Sequence, residues 1–236
     1  MELPFFFMAG ISDSNETLVL DEDTSKHVAQ VLRMREGEQL RLTDGKGRLA
    51  TAEILDAHKK KTSVKIIRSE SIAPASRTTT IAISLLKNAN RFEWFLEKAT
   101  ELGMQSIMPL LCEHTERQHF RFDRMQAVLV SAMLQSQQAW LPQLHEPMPF
   151  KKLVEEFNAT NYQQFIAHCA DDADKKNLRQ AVDHTRNVIV LIGPEGDFSK
   201  DEIQWALRHG FVPVSLGDTR LRAETAGIVA ATLIAI

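Results

Sequence analysis

Along the N-terminal third of the chain, apolar positions come in short bursts and alternations, the pattern of strands rather than helices. Residues 4–7 and 17–20 are brief apolar runs, and Leu40 and Leu42 alternate with polar neighbours ahead of Asp44-Gly45, a dipeptide suited to a type I′ hairpin turn. Residues 49–55 return as the partner strand, Lys59-Lys60-Lys61 makes a charged turn, and residues 64–67 supply another strand. One helical stretch interrupts them, residues 24–34, with Val28, Val31 and Leu32 expected on one side. Short strands around one short helix predict a small closed β-barrel. Ser71-Ile72-Ala73-Pro74-Ala75-Ser76 then breaks the pattern, so a boundary is expected near residue 72, between domains 1–72 and 73–236.

Past that point the period changes. Residues 80–86 form an apolar run without alternation, as a strand covered on both faces requires. Phe92, Phe95, Leu96, Ala99 and Leu102 recur at helical spacing until Gly103, and residues 106–111 predict the next strand. Helices are expected over 122–138, 150–157 and 177–182, with strands at 165–169 and 188–192. Ser199 and Glu202 make a capping box for a helix that buries Ile203, Ala206 and Leu207 and stops at Gly210. Residues 211–216 are a short strand, and 224–236 a helix with only Glu224, Thr225 and Thr232 polar. Such a helix must be buried on all sides, in one domain or at a subunit interface, and at the end of the chain it suggests a homodimer. Strands alternating with helices give an α/β domain with a mostly parallel sheet.

With 44% hydrophobic and 25% charged residues among 236, the chain matches an ordinary globular protein, and no apolar run is long enough to span a bilayer. The start lacks a basic region and does not read as a signal peptide. Cys112 and Cys169 fall in no metal or redox spacing and read as buried free thiols of a reducing, cytoplasmic compartment. The net charge of −3 hides a pattern. Residues 1–23 hold Glu2, Asp13, Glu16, Asp21, Glu22 and Asp23 with no Lys or Arg, whereas 24–68 carry six lysines and five arginines against five acids. That stretch is either a solvated surface or a footprint for a polyanion.

The chemistry is expected in the last fifty residues. Gly193-Pro194-Glu195-Gly196 follows one buried-strand candidate, and Gly217-Asp218-Thr219-Arg220-Leu221-Arg222 follows the other. Loops at strand carboxyl ends are where open α/β sheets bind ligands. The chain has no G-x-x-x-x-G-K-[ST] and no G-x-G-x-x-G after a strand, which argues against a P-loop and a conventional dinucleotide site. Cys112, His114 and His119 are a poor match to metal-ligand spacing, and no Ser-His-Asp elbow is present.

The L-I-G-P-E-G element at 191–196, followed by L-R-A-E-T-A at 221–226, resembles the SPOUT methyltransferases and, among them, the RsmE group of 16S ribosomal RNA uracil-N3 methyltransferases. His27-Val28-Ala29-Gln30-Val31-Leu32-Arg33 is similar to an element of that family's PUA-like RNA-binding barrel. Lys87, Arg91 and Glu97-Lys98-Ala99-Thr100-Glu101-Leu102-Gly103 resemble its K…R…E-K-A-T-E-L-G segment. Gln135-Ser136-Gln137-Gln138 resembles a Q-S-x-R segment with Gln138 in place of the arginine.

The resemblance implies a PUA-like β-barrel followed by an α/β trefoil knot, with S-adenosyl-L-methionine held by the knot loops; the donor is a sulfonium, so the transfer requires no metal. The residues expected around that cofactor are Leu191, Gly193, Glu195, Gly196, Leu216, Gly217, Leu221, Arg222, Thr225 and Ala226. Glycines at 193 and 196 let backbone approach closely, and in-line placement of the methyl group is worth roughly 7–11 kcal/mol. Uracil N3 becomes nucleophilic once its proton leaves. Arg222 is expected to stabilise the charge on O2 and O4, against the alternative of a structural Arg222–Glu224 pair. Glu224 is a candidate base or, more simply, a helix-capping charge, and Glu195 either orients the cofactor or holds its loop. Lys26, His27, Arg33, Arg35, Arg41 and Arg91 are expected to contact RNA of the small ribosomal subunit. Two rivals stand beside this expectation: a SPOUT enzyme acting on ribose 2′-O or another base, and a non-catalytic RNA-binding protein.

Overall fold

The structure, a computed structural model, describes residues 3–11, 16–116, 119–157, 161–170 and 175–235. Glu2 and Asp13 of the acidic segment and Ile236 of the last helix lie outside them. The chain divides into two compact units, one of Met1–Pro74 with Met133–Leu141 and one of Ala75–Ala132 with Pro142–Ile236.

The first unit holds β1 (Phe5–Phe7), β2 (Thr17–Val19), α1 (Glu22–Lys26), β3 (Gln39–Thr43), β4 (Arg48–Asp56) and β5 (Ser63–Ser71). They form one sheet in the order β1-β3-β4-β5-β2, with β1 parallel to β3 and the remaining pairs antiparallel. The alternation at Leu40 and Leu42 is realised, since both are fully buried against Ile54, Val64 and Ile66. The hairpin turn is not of type I′. Four residues separate β3 from β4, Gly45 and Gly47 take positive φ (68° and 92°), and the Asp44 carboxylate accepts from the Lys46 and Arg48 N–H groups. The expected helix also changes character midway. Asp21 caps α1 by accepting from the Thr24 N–H, and residues His27–Val31 then widen into a π-turn. The extra residue per turn rotates the following side chains off the inner face, so Val28 is buried while Val31 and Leu32 are 65% and 42% exposed. Residues Met133–Leu141 close on the β3–β4 loop, where Leu141 N–H donates to Gly45 O at 2.8 Å and Gly47 N–H to Ala139 O at 2.9 Å. Trp140 lies directly over Gly47, where an added Cβ would stand 2.4 Å from its ring.

The second unit continues with β6 (Thr79–Ser84), α2 (Ala89–Glu101), β7 (Ser106–Leu111), α3 (Phe122–Gln135), β8 (Gln143–Leu144), β9 (Met148–Pro149) and α4 (Phe150–Phe157). Then follow β10 (Gln163–Ala167), β11 (Lys176–Asn177), α5 (Leu178–Ala181), β12 (Val188–Ile192), α6 (Lys200–Arg208), β13 (Val212–Ser215) and α7 (Ala223–Ala235). The sheet runs β11-β13-β10-β12-β6-β7-β8 with every pairing parallel. Every residue of β6 and β12 is buried, as their unbroken apolar runs require. One face carries α4 and α6, whose Phe150, Leu153, Ile203 and Ala206 share a core with Ile189 and Leu191. The other carries α2 and α7. The Ser199–Glu202 capping box is present in full at α6, and Gly103 and Gly210 end their helices with φ of 77° and 90°.

The last helix is not buried all round. Ala223, Glu224, Gly227, Ala230, Ala231 and Ile234 form its buried stripe, while Ile228, Val229, Thr232 and Leu233 remain half-buried. Among the described residues no helix is long and apolar enough to cross a membrane.

Candidate functional site

Parallel pairing puts the carboxyl ends of β13, β10 and β12 side by side, and the loops that leave them bound two adjoining cavities. The first, about 410 Å³, lies between the β10 exit (His168, Cys169) and the β13 exit (Leu216, Gly217, Asp218). The second, about 440 Å³, lies between the β12 exit (Gly193, Pro194, Glu195) and the start of α7 (Arg222, Ala223). Ala167, Cys169, Arg220, Leu221 and Ala226 line both, so the two are compartments of one cleft.

Of the residues expected at a ligand, Gly193, Glu195, Leu216, Gly217, Leu221, Arg222 and Ala226 line these cavities. Leu191 does not; its side chain points into the core with Phe198 and Ile203, because in a strand the side chains of Leu191 and its neighbour Ile192 face opposite sides, and Ile192 takes the lining position. Gly196 and Thr225 also stand outside the linings. The two loop glycines differ in their reasons. A Cβ on Gly193 would meet the Phe198 ring and backbone nitrogen at 3.1 Å, tighter than an ordinary contact, whereas one on Gly196 would reach His114 at a comfortable 3.5 Å. Ala167 and Cys169 also line the cleft and carry no local signal of it in the sequence, while Arg220 belongs to the second expected loop. Ala167 ends the strand β10 and Cys169 lies two residues past it, and the rule that ligands sit at strand carboxyl ends points to both once that strand is placed next to β12.

The charged groups sort by burial. Arg222 is exposed at the cavity wall, and its carbonyl accepts the Ala226 N–H that opens α7. Glu224 is 6% exposed, and its Oε1 lies 3.7 Å from Nε of Arg91, also on the cavity wall. The pairing therefore joins Glu224 to Arg91 and leaves Arg222 facing the cleft. The second oxygen of Glu224 is buried and accepts no hydrogen bond from the described residues. The carboxylate stands in the first turn of α7, where the helix dipole favours it. Glu195 accepts the Lys87 N–H at 3.2 Å. Glu202 accepts from both Glu113 N–H and Ser199 N–H at 2.9 Å, joining the β7 exit to the start of α6.

The cysteines differ from each other. Cys112 is buried, and burial, reinforced by the Glu202 charge, pushes its thiol far above the usual range. Cys169 is exposed, contrary to the expectation of two buried thiols, because it lies past the end of β10 in the cleft. Among the described residues no three His, Cys, Asp or Glu side chains gather as they would around a metal ion, and His114 instead approaches the carbonyl of Asp197 at 2.9 Å.

In the first unit, Lys26, His27, Arg33 and Arg35 are exposed around the π-turn, and His27 meets the Phe6 ring edge-on at 5.7 Å. Arg33 takes φ of 55°, which lets the Met34 N–H reach back to Val28 O and end the turn. Arg41 is half-buried, with its guanidinium 5.2 Å from the centre of the Phe5 ring. Gln138 donates to the Ser136 hydroxyl at 3.0 Å within the Met133–Leu141 segment.

Comparison with known proteins adds independent findings. An RNA methyltransferase domain model matches residues 73–235, and an RNA methyltransferase PUA domain model matches residues 20–67. The chain is 30% identical over 235 residues to the ribosomal RNA small subunit methyltransferase E of Mycobacterium bovis, covering 95% of this chain and 88% of that one. A probable rRNA-methyltransferase from Porphyromonas gingivalis superposes with a TM-score of 0.88 at 38% identity, over 98% of this chain and 97% of its own. The ribosomal RNA small subunit methyltransferase E of Neisseria gonorrhoeae, solved bound to S-adenosyl methionine, superposes with a TM-score of 0.87 at 25% identity, over 98% and 95%.

Proposed function

Because the chain belongs to the RNA methyltransferase family, with an N-terminal PUA domain ahead of the methyltransferase domain, we propose that it methylates N3 of a uridine in 16S RNA of the small ribosomal subunit, using S-adenosyl-L-methionine. The observation that carries this reading is the divided cleft at the ends of β10, β12 and β13, with Arg222 exposed on its wall.

The residues present fit the methyl donor. Gly193 lines the cavity without a side chain, and an added Cβ there would press on the Phe198 ring and backbone nitrogen at 3.1 Å. Leu216, Leu221 and Ala226 give apolar surface, and the Gly217 backbone has open space before it. The bound donor supplies an electrophilic methyl group. Arg222 is the positive group that accompanies the substrate, donating to uracil O2 or O4 as charge builds there on loss of the N3 proton. Glu224 takes a structural role, since it is buried in the first turn of α7 and faces Arg91. Arg91 is then either a purely structural partner or a contact that also reaches RNA from the cavity wall.

Lys26, His27, Arg33, Arg35 and Arg41 of the PUA domain grip phosphates, which fix position rather than sequence. The N3 edge is used in base pairing, so the target uridine must be unpaired or flipped out. We assign domain 1–72 to RNA holding and domain 73–236 to the reaction, with the C-terminal segment threaded as a trefoil knot. The half-buried Ile228, Val229, Thr232 and Leu233 of α7 are the surface through which two copies pair. An enzyme with this substrate works in the cytoplasm.

The test is methylation in vitro with labelled donor, on both naked 16S RNA and assembled small subunits, followed by identification of the product nucleoside. 3-Methyluridine is the expected product. A 2′-O-methylated nucleoside or another methylated base would replace the N3 assignment, and an absence of both transfer and saturable donor binding would leave an RNA-binding protein.

A further inference from the structure

Asp197 combines three features that the proposed chemistry does not use. It takes φ of 67°, a left-handed conformation that glycine adopts freely and most other residues avoid. It lines the second cavity. Its carboxylate is also fully engaged with backbone: Oδ2 accepts the Cys169 N–H at 2.7 Å, and Oδ1 accepts the Phe198 N–H at 2.9 Å. Its own N–H donates to Pro194 O at 2.9 Å, and its carbonyl, which can only accept, takes the proton of His114 Nδ1.

These bonds differ in reach. The bond to Phe198 is local and shapes the turn. The bond to Cys169 crosses from the β12 exit loop to the end of β10, and Cys169 lines both cavities. The cross-loop bond therefore spans the region where the compartments meet. Glycine at 197 would satisfy the backbone and lose this bond; a β-carbon bearing a carboxylate is tolerated here because Asp is among the residues that enter the left-handed region.

We propose that Asp197 is a positioning residue: its carboxylate latches the Gly193–Phe198 loop to the Cys169 amide and so sets the width of the cleft for the methyl donor. The donor part of this proposal rests on the methyltransferase reading above. The latch itself does not.

Two variants of the full chain separate latch from backbone conformation. Asp197→Gly keeps the left-handed turn and removes both acceptors. Asp197→Asn keeps the turn but offers one oxygen for two N–H groups. Two readouts apply: calorimetric affinity for S-adenosyl-L-methionine, and the rate at which iodoacetamide alkylates Cys169, read by mass spectrometry with buried Cys112 as internal reference. Losing a charge-assisted bond predicts donor affinity weaker by roughly tenfold or more in Asp197→Gly, with Asp197→Asn between it and the parent. In steady-state kinetics the loss falls on KM for the donor rather than on kcat. Without donor, Cys169 is alkylated several-fold faster in Asp197→Gly.

Parent-like affinity and parent-like alkylation in Asp197→Gly overturn the latch, as does tighter binding, which would mean that residue 197 contributes only strain. If the parent protein shows no saturable donor binding, the methyl-donor reading fails, and the alkylation comparison still decides the latch. Should both variants fold poorly, hydrogen exchange in the parent decides it: the Cys169 amide is expected to be protected, and exchange at an open-loop rate overturns the proposal.

Discussion

Arg222 and Glu224 stand two residues apart in opposite environments, one exposed at the cleft and the other 6% exposed beneath it. Their spacing suggested a possible pair; packing supplies Glu224 with Arg91 from α2 instead. Nothing local in the sequence reports that partner, which lies more than a hundred positions away. Two outcomes are expected at this scale. Arg222→Ala should lower turnover by about 10²–10³-fold while donor affinity stays within a few-fold, measured by single-turnover methylation and calorimetry. Unchanged turnover would remove Arg222 as the charge stabiliser. Arg91→Ala should cost about 1–3 kcal/mol in urea unfolding at neutral pH, because it leaves a buried carboxylate without its cation. Adding Glu224→Gln should recover much of that loss; if it does not, the Arg91 side chain stabilises through packing alone.

At the scale of elements, most helices and strands were legible because their signals are local. Phe92, Phe95, Leu96 and Ala99 mark one face of α2, and the capping box marks the start of α6. The π-turn at His27–Val31 was not legible, since one additional backbone residue per turn leaves no mark in side-chain pattern. It reverses the expected facing of Val31 and Leu32 and leaves them exposed beside Lys26 and Arg33. The last helix is apolar nearly throughout in sequence, and its buried stripe has a specific reason: Gly227 faces α2 so closely that an added Cβ would stand 2.7 Å from the Phe95 ring and 3.1 Å from Ile83. Gly227→Ala is therefore expected to destabilise the protein by about 1–3 kcal/mol, seen as a lower urea midpoint with unchanged slope. A neutral substitution would mean that α7 can move outward at little cost.

For the whole molecule, the first unit gathers Lys26, Arg33 and Arg35 on one exposed turn, so their joint effect is a matter of net field rather than of any single contact. Lys26→Ala with Arg33→Ala should weaken binding to 16S RNA and reduce the salt dependence of log K by roughly 0.7 per lost phosphate contact. An unaltered slope would return the basic stretch to an ordinary solvated surface. Sedimentation of the purified protein is expected to show a dimer, and Leu233→Asp on the half-buried side of α7 should shift it toward monomer. A monomeric parent would refute the pairing surface.

The sequence by itself determined the α/β class, the parallel sheet and the two glycine-bearing loops, because burial period, caps and turn residues act over a few positions. It also carried the family resemblance, through the 191–196 and 221–226 elements. Tertiary structure alone decided which strand ends became neighbours, and with them that Ala167, Cys169 and Asp197 join the cleft while Leu191 turns into the core. It decided too that Met133–Leu141 closes on the β3–β4 loop, with Trp140 over Gly47. These contacts join segments far apart along the chain, and a pairing of that kind depends on shape across the fold, which no local pattern of residues encodes.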